Sequence, residues 1–328
     1  MIRYQERAVA AQCLPSRVNL PPARRSPTMP HRSGRLAQMW YHSGMIRLSV
    51  VLSTHAAQFA AATFKGDFAA NIGRIAAMGY DGVELAIRDP RLVNAEELLR
   101  VLEAHRLVVP AIGTGQAWGE EGLSFTAADP AIRCAAIERI KSHIPLAVRL
   151  NAVVILGLIR GITPRGQTHA QSMAYLVEAL QECTAAAAPA GVRYALEPLN
   201  RYETDLIHTV ADGLALIEQV GAPNFGLLLD TFHMNIEEPS IEASIRAAGD
   251  RIFHFHVADS NRRHPGAGHL DFAAILDVLL ETGYTGFISG EFLPLPDAET
   301  AARHSIAHLR GLSLRAVRAA APGPSVAG

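Results

Sequence analysis

The sequence predicts a single (β/α)8 barrel, and three observations predict it. Short apolar runs alternate with longer amphipathic stretches, eight of each. The repeating part spans about 275 residues, the usual size of one such barrel. No GxGxxG or GxxxxGK(S/T) loop follows the first run, which ends in Ser53 and continues through Thr54 and His55. A doubly wound open sheet, the alternative, usually carries such a loop there.

In order, the strands are read over Ile46–Ser53, Gly82–Ile87, Val108–Thr114, Ala152–Leu158, Arg193–Leu199, Phe225–Asp230, Ile252–Asp259 and Phe287–Pro294. Each is short, apolar and bounded by turn residues, the pattern of a strand buried on both faces. The helices between them are read over Asp67–Met78, Asn94–His105, Pro130–Leu150, Thr168–Ala188, Thr209–Val220, Ser240–Ala248, Asp271–Glu281 and Asp297–Ala319. Asn94 stands before AEELL, with acids in the first turn. Asp129 precedes Pro130, a cap followed by proline at the first helical position. Gly79, Gly191, Gly221, Gly249 and Gly283 fall where helices should stop. Pro145 lies inside the third helical pattern, so that helix is expected to kink or split.

Of 328 residues, 49% are hydrophobic, enough for one large core or two modest ones. The net charge of −1 gives no global field that would recruit nucleic acid or a membrane surface. Cys13, Cys134 and Cys183 are odd in number and show no CxxC spacing, which argues against a disulfide framework and fits a cytoplasmic location. No apolar run reaches the length of about 18 residues that spans a bilayer. Residues 1–44 have a different composition. Pro22–Gln38 is rich in Pro, Arg and Ser and has no apolar period or h-region, so a disordered extension is expected. Met45 opens MIRLSVVLS and is the expected start of translation. The domains expected are therefore an extension over 1–44, a catalytic barrel over 45–320 and a flexible tail over 321–328.

A barrel of this type places its active site at the C-terminal ends of its strands. Charged residues there need a reason, because a charge at the end of an apolar run is costly unless paired or metal-bound. The fifth strand ends in ALEPLN, with Glu197; the sixth in GLLLD, with Asp230; the seventh reads FHFHV, with His254 and His256; the eighth reads FISGEF, with Glu291. Any one of these is more often a salt-bridge partner or a cap than a ligand. Four successive strands each delivering one metal-competent group to one rim is a different matter. Three carboxylates with one imidazole suit a single hard or borderline divalent cation: Mn²⁺, Mg²⁺ or Co²⁺. His256 lies nearer the rim and is assigned to the metal; His254 lies one layer deeper or supports a neighbour. Glu203, His233 and Arg262 follow in the loops beyond these strands and can bind substrate oxygens. Arg160, after the fourth strand, is a further candidate for gripping a substrate carboxylate.

These segments carry a resemblance: LEPLNRYET (196–204), LLLDTFHMNIEE (227–238), FHFHVADSNRRHPGAGHLDF (253–272) and GEFLPLP (290–296), with FKGDF (64–68) and IGTGQAWGEEGLSF (112–125). The chain resembles the sugar-phosphate isomerase/epimerase superfamily of xylose-isomerase-like barrels from about Met45 to Leu314. IRDP (87–90), GTGQA (113–117), LIRG (158–161) and ETD (203–205) make it look most like 5-keto-L-gluconate epimerase, and more distantly the D-tagatose/D-psicose 3-epimerases. The resemblance implies Glu197, Asp230, His256 and Glu291 as metal ligands, and Glu203, His233 and Arg262 as substrate contacts. Epimerisation beside a ketone removes a proton from one face and returns one to the other, through a cis-enediolate. Glu197 and Glu291 come from non-adjacent strands and are the expected acid–base pair. The expected partner is a small keto-sugar acid, or a neutral ketose in the alternative reading of a ketose 3-epimerase or aldose–ketose isomerase. A homo-oligomer is the only protein assembly expected, and nucleic acid and membrane are excluded as partners. A metal-dependent nuclease of the abasic-site type would need more ligands and a basic groove.

Overall fold

Every strand of the described chain runs the same way round one closed sheet. In the computed structural model, which describes residues 46–320, the strands are β1 (Arg47–Ser53), β2 (Glu84–Ala86), β3 (Ala111–Gly113), β4 (Val153–Leu156), β5 (Tyr194–Leu196), β6 (Phe225–Asp230), β7 (Ile252–Val257) and β8 (Phe287–Gly290). Each pairs in parallel with the next. β8 pairs back onto Arg47–Val50 of β1 and closes the barrel. A two-residue strand, Phe64–Lys65, pairs with the end of β1. The extension 1–44 and the tail 321–328 lie outside the described residues.

The helices are α1 (Phe68–Ala77), α2 (Ala95–His105), α3 (Gln116–Glu121), α4 (Pro130–Ser142), α5 (Ile144–Leu150), α6 (His169–Ala187), α7 (Val210–Val220), α8 (Thr231–Glu237), α9 (Ile241–Ala248), α10 (Phe272–Glu281) and α11 (Ala298–Ala320). Their starts follow cap chemistry. Asn94 accepts the Glu97 N–H, Thr168 that of Gln171, and Thr209 forms a reciprocal capping box with Asp212. Pro145 splits the third predicted helix into α4 and α5, with the proline in the first turn of the second piece, where its missing N–H costs nothing. No helix among the described residues is long and apolar enough to cross a membrane.

Two features differ from the sequence expectation. The second and third runs pair as full strands only over Glu84–Ala86 and Ala111–Gly113; the flanking residues keep single contacts, such as the Val83 N–H to Val108 C=O bond of 2.9 Å. The short helices α3 and α8 also stand in loops after β3 and β6. Six and seven residues are too few to display a helical period.

The strands alternate. Leu48, Val50 and Leu52 of β1, Leu85 of β2, Phe225, Leu227 and Leu229 of β6, and Phe255 and Val257 of β7 join one core with the helices outside the barrel. The inward set is divided. Ala111, Val153, Ile155, Ala195 and Leu228 make an apolar half, while Ser49, Glu84, His254, His256 and Ser289 are buried polar residues of β7, β8, β1 and β2. A register shift in the β6–β7 ladder sets this up: Leu227 faces Ile252, but the next residue, Leu228, faces His254. Phe253 is thereby left beside Gly226, whose α-carbon leaves no room for a side chain. An added Cβ would stand 2.7 Å from Phe253 Cγ and 2.8 Å from the Arg251 carbonyl oxygen.

Gly226→Ala is therefore expected to destabilise the barrel by about 1–3 kcal/mol, read as a lower denaturant midpoint with an unchanged slope. A wild-type midpoint would show that this seam is slack.

Candidate metal centre

Three carboxylates and an imidazole meet at the rim formed by β5 to β8. Glu197 follows the last residue of β5, Asp230 ends β6, His256 is the penultimate residue of β7 and Glu291 follows β8. One donor atom from each lies within 4.8 Å of all the others. His256 Nδ1 is 3.7 Å from Glu197 Oε1, 3.9 Å from Asp230 Oδ2 and 3.8 Å from Glu291 Oε2. Glu197 Oε1, Asp230 Oδ2 and His256 Nδ1 are buried without a hydrogen-bond partner among the described residues. An unsatisfied buried polar group costs about 1–3 kcal/mol, so three orphans turned toward one point call for a shared partner. Asp230 splits its oxygens between two tasks: Oδ1 accepts the Phe232 N–H at 2.8 Å and caps α8, which leaves Oδ2 for the centre. Acid-rich donors with one imidazole fit a hard or borderline divalent cation.

The electrostatics without an ion show the same frustration. Burial pushes the Glu291 carboxyl up to about 8, helped by the nearby Glu197 and against the pull of His256. Burial also raises Asp230, to about 6. Glu197 moves the other way: burial opposes its charge, but His256, His233 and Arg160 outweigh it. His256 is raised well above its usual range, because Glu84 and the rim acids overcome the cost of burying its charge. Protons thus hold the place that a cation would take.

Glu84 of β2 was missed in the sequence. It is 2% exposed, and its Oε2 accepts from His254 Nε2 at 2.8 Å and from His256 Nε2 at 2.9 Å. Burial raises its carboxyl, but the two imidazoles win and hold it well below the carboxylate range. Its one visible signal is a lone acid inside the otherwise apolar GVELAI.

Above the rim lies a cavity of about 390 Å³, within the usual range for small-molecule sites of about 300–1,000 Å³. Glu197, Glu203, His233, His256, Arg262 and Glu291 all line it. Asn200 donates to His233 Nδ1 through its side chain at 2.7 Å, so the His233 proton sits on Nε2, facing the site. Burial lowers His233 to about 3 and keeps it a neutral donor. Arg262 bridges Glu203 Oε1 at 2.9 Å and Glu291 Oε2 at 3.1 Å. Its φ of 57° is a left-handed conformation uncommon for arginine. Its amide donates to the Asp259 carbonyl and its own carbonyl accepts from Leu293, each at 2.8 Å. Phe59 and Trp118 also line the cavity, with Trp118 carried by α3.

Arg160 does not join these residues. It is fully buried and does not line the cavity. Its guanidinium is taken up by the backbone carbonyls of Gly157 (3.1 Å), Leu156 (3.4 Å), Ile207 (3.4 Å) and Leu206 (3.5 Å). The carboxylate grip expected of it would need a guanidinium that reaches the cavity; what it supplies is positive charge that favours ionised Glu197.

The family described as "Xylose isomerase-like TIM barrel" matches residues 72–312. The L-ribulose 3-epimerase of Methylomonas sp. (strain DH-1) is 34% identical over 227 residues, 67% of this chain and 76% of that one. The D-psicose 3-epimerase of Agrobacterium fabrum is 29% identical over 229 residues, 67% of this chain and 78% of that one. A solved structure of L-ribulose 3-epimerase superposes with a TM-score of 0.70 at 29% identity, over 84% of this chain and 96% of that one. The closeness to 5-keto-L-gluconate epimerase expected from the motifs does not emerge from these relatives.

Because a ligand must shed its proton to bind a cation, metal uptake by the stripped protein should release protons at pH 7 and tighten as pH rises through about 8, where Glu291 loses its proton without help. Calorimetry of Mn²⁺ binding in buffers of different ionisation enthalpy reads the protons directly. Affinity that is flat between pH 6 and 8 would remove Glu291 and His256 from the ligand set.

Proposed function

This chain belongs to the xylose isomerase-like TIM barrel family, and from that premise we propose that it is a metal-dependent epimerase of neutral ketoses, inverting the carbon beside the ketone. The observation that carries the reading is the set of orphaned donors on Glu197, Asp230 and His256, converging with Glu291 on one point inside a sugar-sized cavity. Relatives named as L-ribulose 3-epimerase and D-psicose 3-epimerase support the ketose and the position.

The four residues would hold one divalent ion, for which we favour Mn²⁺. Bound there, such an ion supplies electrostatic stabilisation for the negative charge that develops on the substrate's oxygens. The protein supplies the proton transfers. Glu197 and Glu291 rise from β5 and β8, so they approach a substrate in the cavity from different sides. One carboxylate oxygen takes the proton from the carbon beside the ketone; the other glutamate returns a proton to the opposite face, and the two exchange roles when the reaction reverses. Their unequal surroundings suit this division, with Glu197 held ionised and Glu291 inclined to keep its proton. Nε2–H of His233 donates to a substrate oxygen. Glu203 accepts from a hydroxyl, and Arg262 fixes both Glu203 and Glu291 in position.

A neutral substrate fits the charges better than the keto-sugar acid expected from sequence. Arg262 is the one lysine or arginine lining the cavity among the described residues, and both its bridges are occupied by glutamates. Glu120 also lines the cavity and is paired with Arg88 at 2.6 Å. A substrate carboxylate would meet acids and no free cation.

Two outcomes are expected in deuterated water with Mn²⁺. A neutral ketose should take up deuterium at the carbon beside its ketone, with kcat/KM at least about a hundredfold above that of the matching keto-acid, since like-charge placement costs several kcal/mol. Glu197→Gln and Glu291→Gln should each lower kcat by about 100- to 10,000-fold in folded protein saturated with Mn²⁺. Retained turnover in either variant would rule out the two-base scheme. Equal or better use of the keto-acid would restore the sugar-acid reading, and carbonyl transfer between C1 and C2 would make the enzyme an aldose–ketose isomerase.

A further inference from the structure

We propose that Glu84 is a positioning residue for the metal centre: by accepting the Nε2–H of His256, it fixes the imidazole tautomer whose Nδ1 lone pair faces Glu197, Asp230 and Glu291. The inference rests on the metal-dependent reading above and adds a residue that none of the rim motifs contains.

The geometry is specific. Glu84 reaches across the barrel interior from β2 to β7, and both its oxygens lie within 3.0 Å of His256 Nε2. An ionised carboxylate can only accept, so the ring nitrogen facing it must carry the proton. Once His256 gives up its extra proton to take a cation, the proton left on the ring is this one, and Nδ1, which points at the three rim acids without a hydrogen bond of its own, is the atom freed to bind. His254 supplies the restraint on Glu84 itself. Its Nε2 donates to Glu84 Oε2 at 2.8 Å, and its ring stands edge-on to that of His256, with centroids 5.3 Å apart. Two donors thus hold one carboxylate, and the carboxylate holds the ligand imidazole in rotation and tautomer. This is the physical role that an outer carboxylate plays for a metal-bound histidine, where its loss typically costs 10- to 100-fold in metal affinity.

Glu84, His254 and His256 could by themselves gather round an ion. Glu84 and the two Nε2 atoms are already mutually satisfied at hydrogen-bond distance, however, whereas Glu197 Oε1, Asp230 Oδ2 and Nδ1 of His256 are unsatisfied and lie together at the rim. The structure therefore assigns Glu84 to support and the rim to coordination.

The test uses the full chain, stripped of metal and titrated with Mn²⁺. Glu84→Gln, whose amide oxygen can accept but carries no charge and whose NH₂ opposes a second donor, should weaken Mn²⁺ binding by about 10- to 100-fold. Glu84→Asp, which keeps the charge at shorter reach, should recover part of that loss. A purely structural residue would lower thermal stability and leave Mn²⁺ affinity unchanged, and that result would overturn the proposal. Should neither variant fold, the wild-type protein with histidine ¹⁵N labelling and diamagnetic Mg²⁺ decides the matter. A proton on His256 Nε2 supports the tautomer assignment, and a proton on Nδ1 overturns it. Neither measurement reads turnover, so inertness toward ketoses would count against the proposed function alone.

Discussion

Three acidic side chains are buried within 4 Å of a single imidazole nitrogen, and that crowding organises the rest of the molecule. Like charges at such separations in a low-dielectric site repel strongly. The protein alone relieves the repulsion by holding protons on Glu291 and His256. A divalent ion held by the same residues would relieve it by replacing them. Bringing the acids to one level requires β5, β6 and β8 to end in register around a closed barrel, which the β1–β8 pairing secures. The polar half of the barrel interior follows from the same need, because the imidazole at the centre of the rim must be held from below.

Structure passes into chemistry through the placement of donors. Asn200 orients His233, Glu84 meets His256, and Arg262 joins Glu203 to Glu291. In each case a polar partner fixes which atom of a titratable group faces the cavity. Arg262 does so from a left-handed backbone position, held by bonds to Asp259 and Leu293. Uncommon backbone geometry of this kind is concentrated at functional sites. The cavity lining also combines the rim acids with the rings of Phe59 and Trp118. That suits a sugar whose reacting end is polar and whose carbon faces can lie against aromatic rings.

The barrel was legible in the sequence because eight buried strands leave an unambiguous apolar rhythm. The rim residues were legible because an acid closing a run such as GLLLD has few inexpensive explanations. Glu84 sits in an equally apolar run and was passed over. It lies inside the run rather than closing it, and its partners are 170 and 172 residues away, so nothing local marks the pair. Arg160 shows the opposite failure. Its type suggested a substrate contact, but whether an arginine is free depends on which backbone carbonyls lack partners, and that is a property of the folded chain. The keto-acid expectation depended on Arg160 and Arg262 being available, and the structure occupies both. The helices α3 and α8 were invisible for a simpler reason: each is too short to show a period, although they carry Trp118 and His233.

The most direct test of the metal centre is a crystal structure of the Mn²⁺-loaded protein with anomalous scattering at the manganese edge. One ion is expected, bound by Glu197 Oε1, Asp230 Oδ2, His256 Nδ1 and Glu291 Oε2. An ion seated instead between Glu84, His254 and the Nε2 of His256, with the rim left to protons, would contradict the assignment of the site and the chemistry built on it.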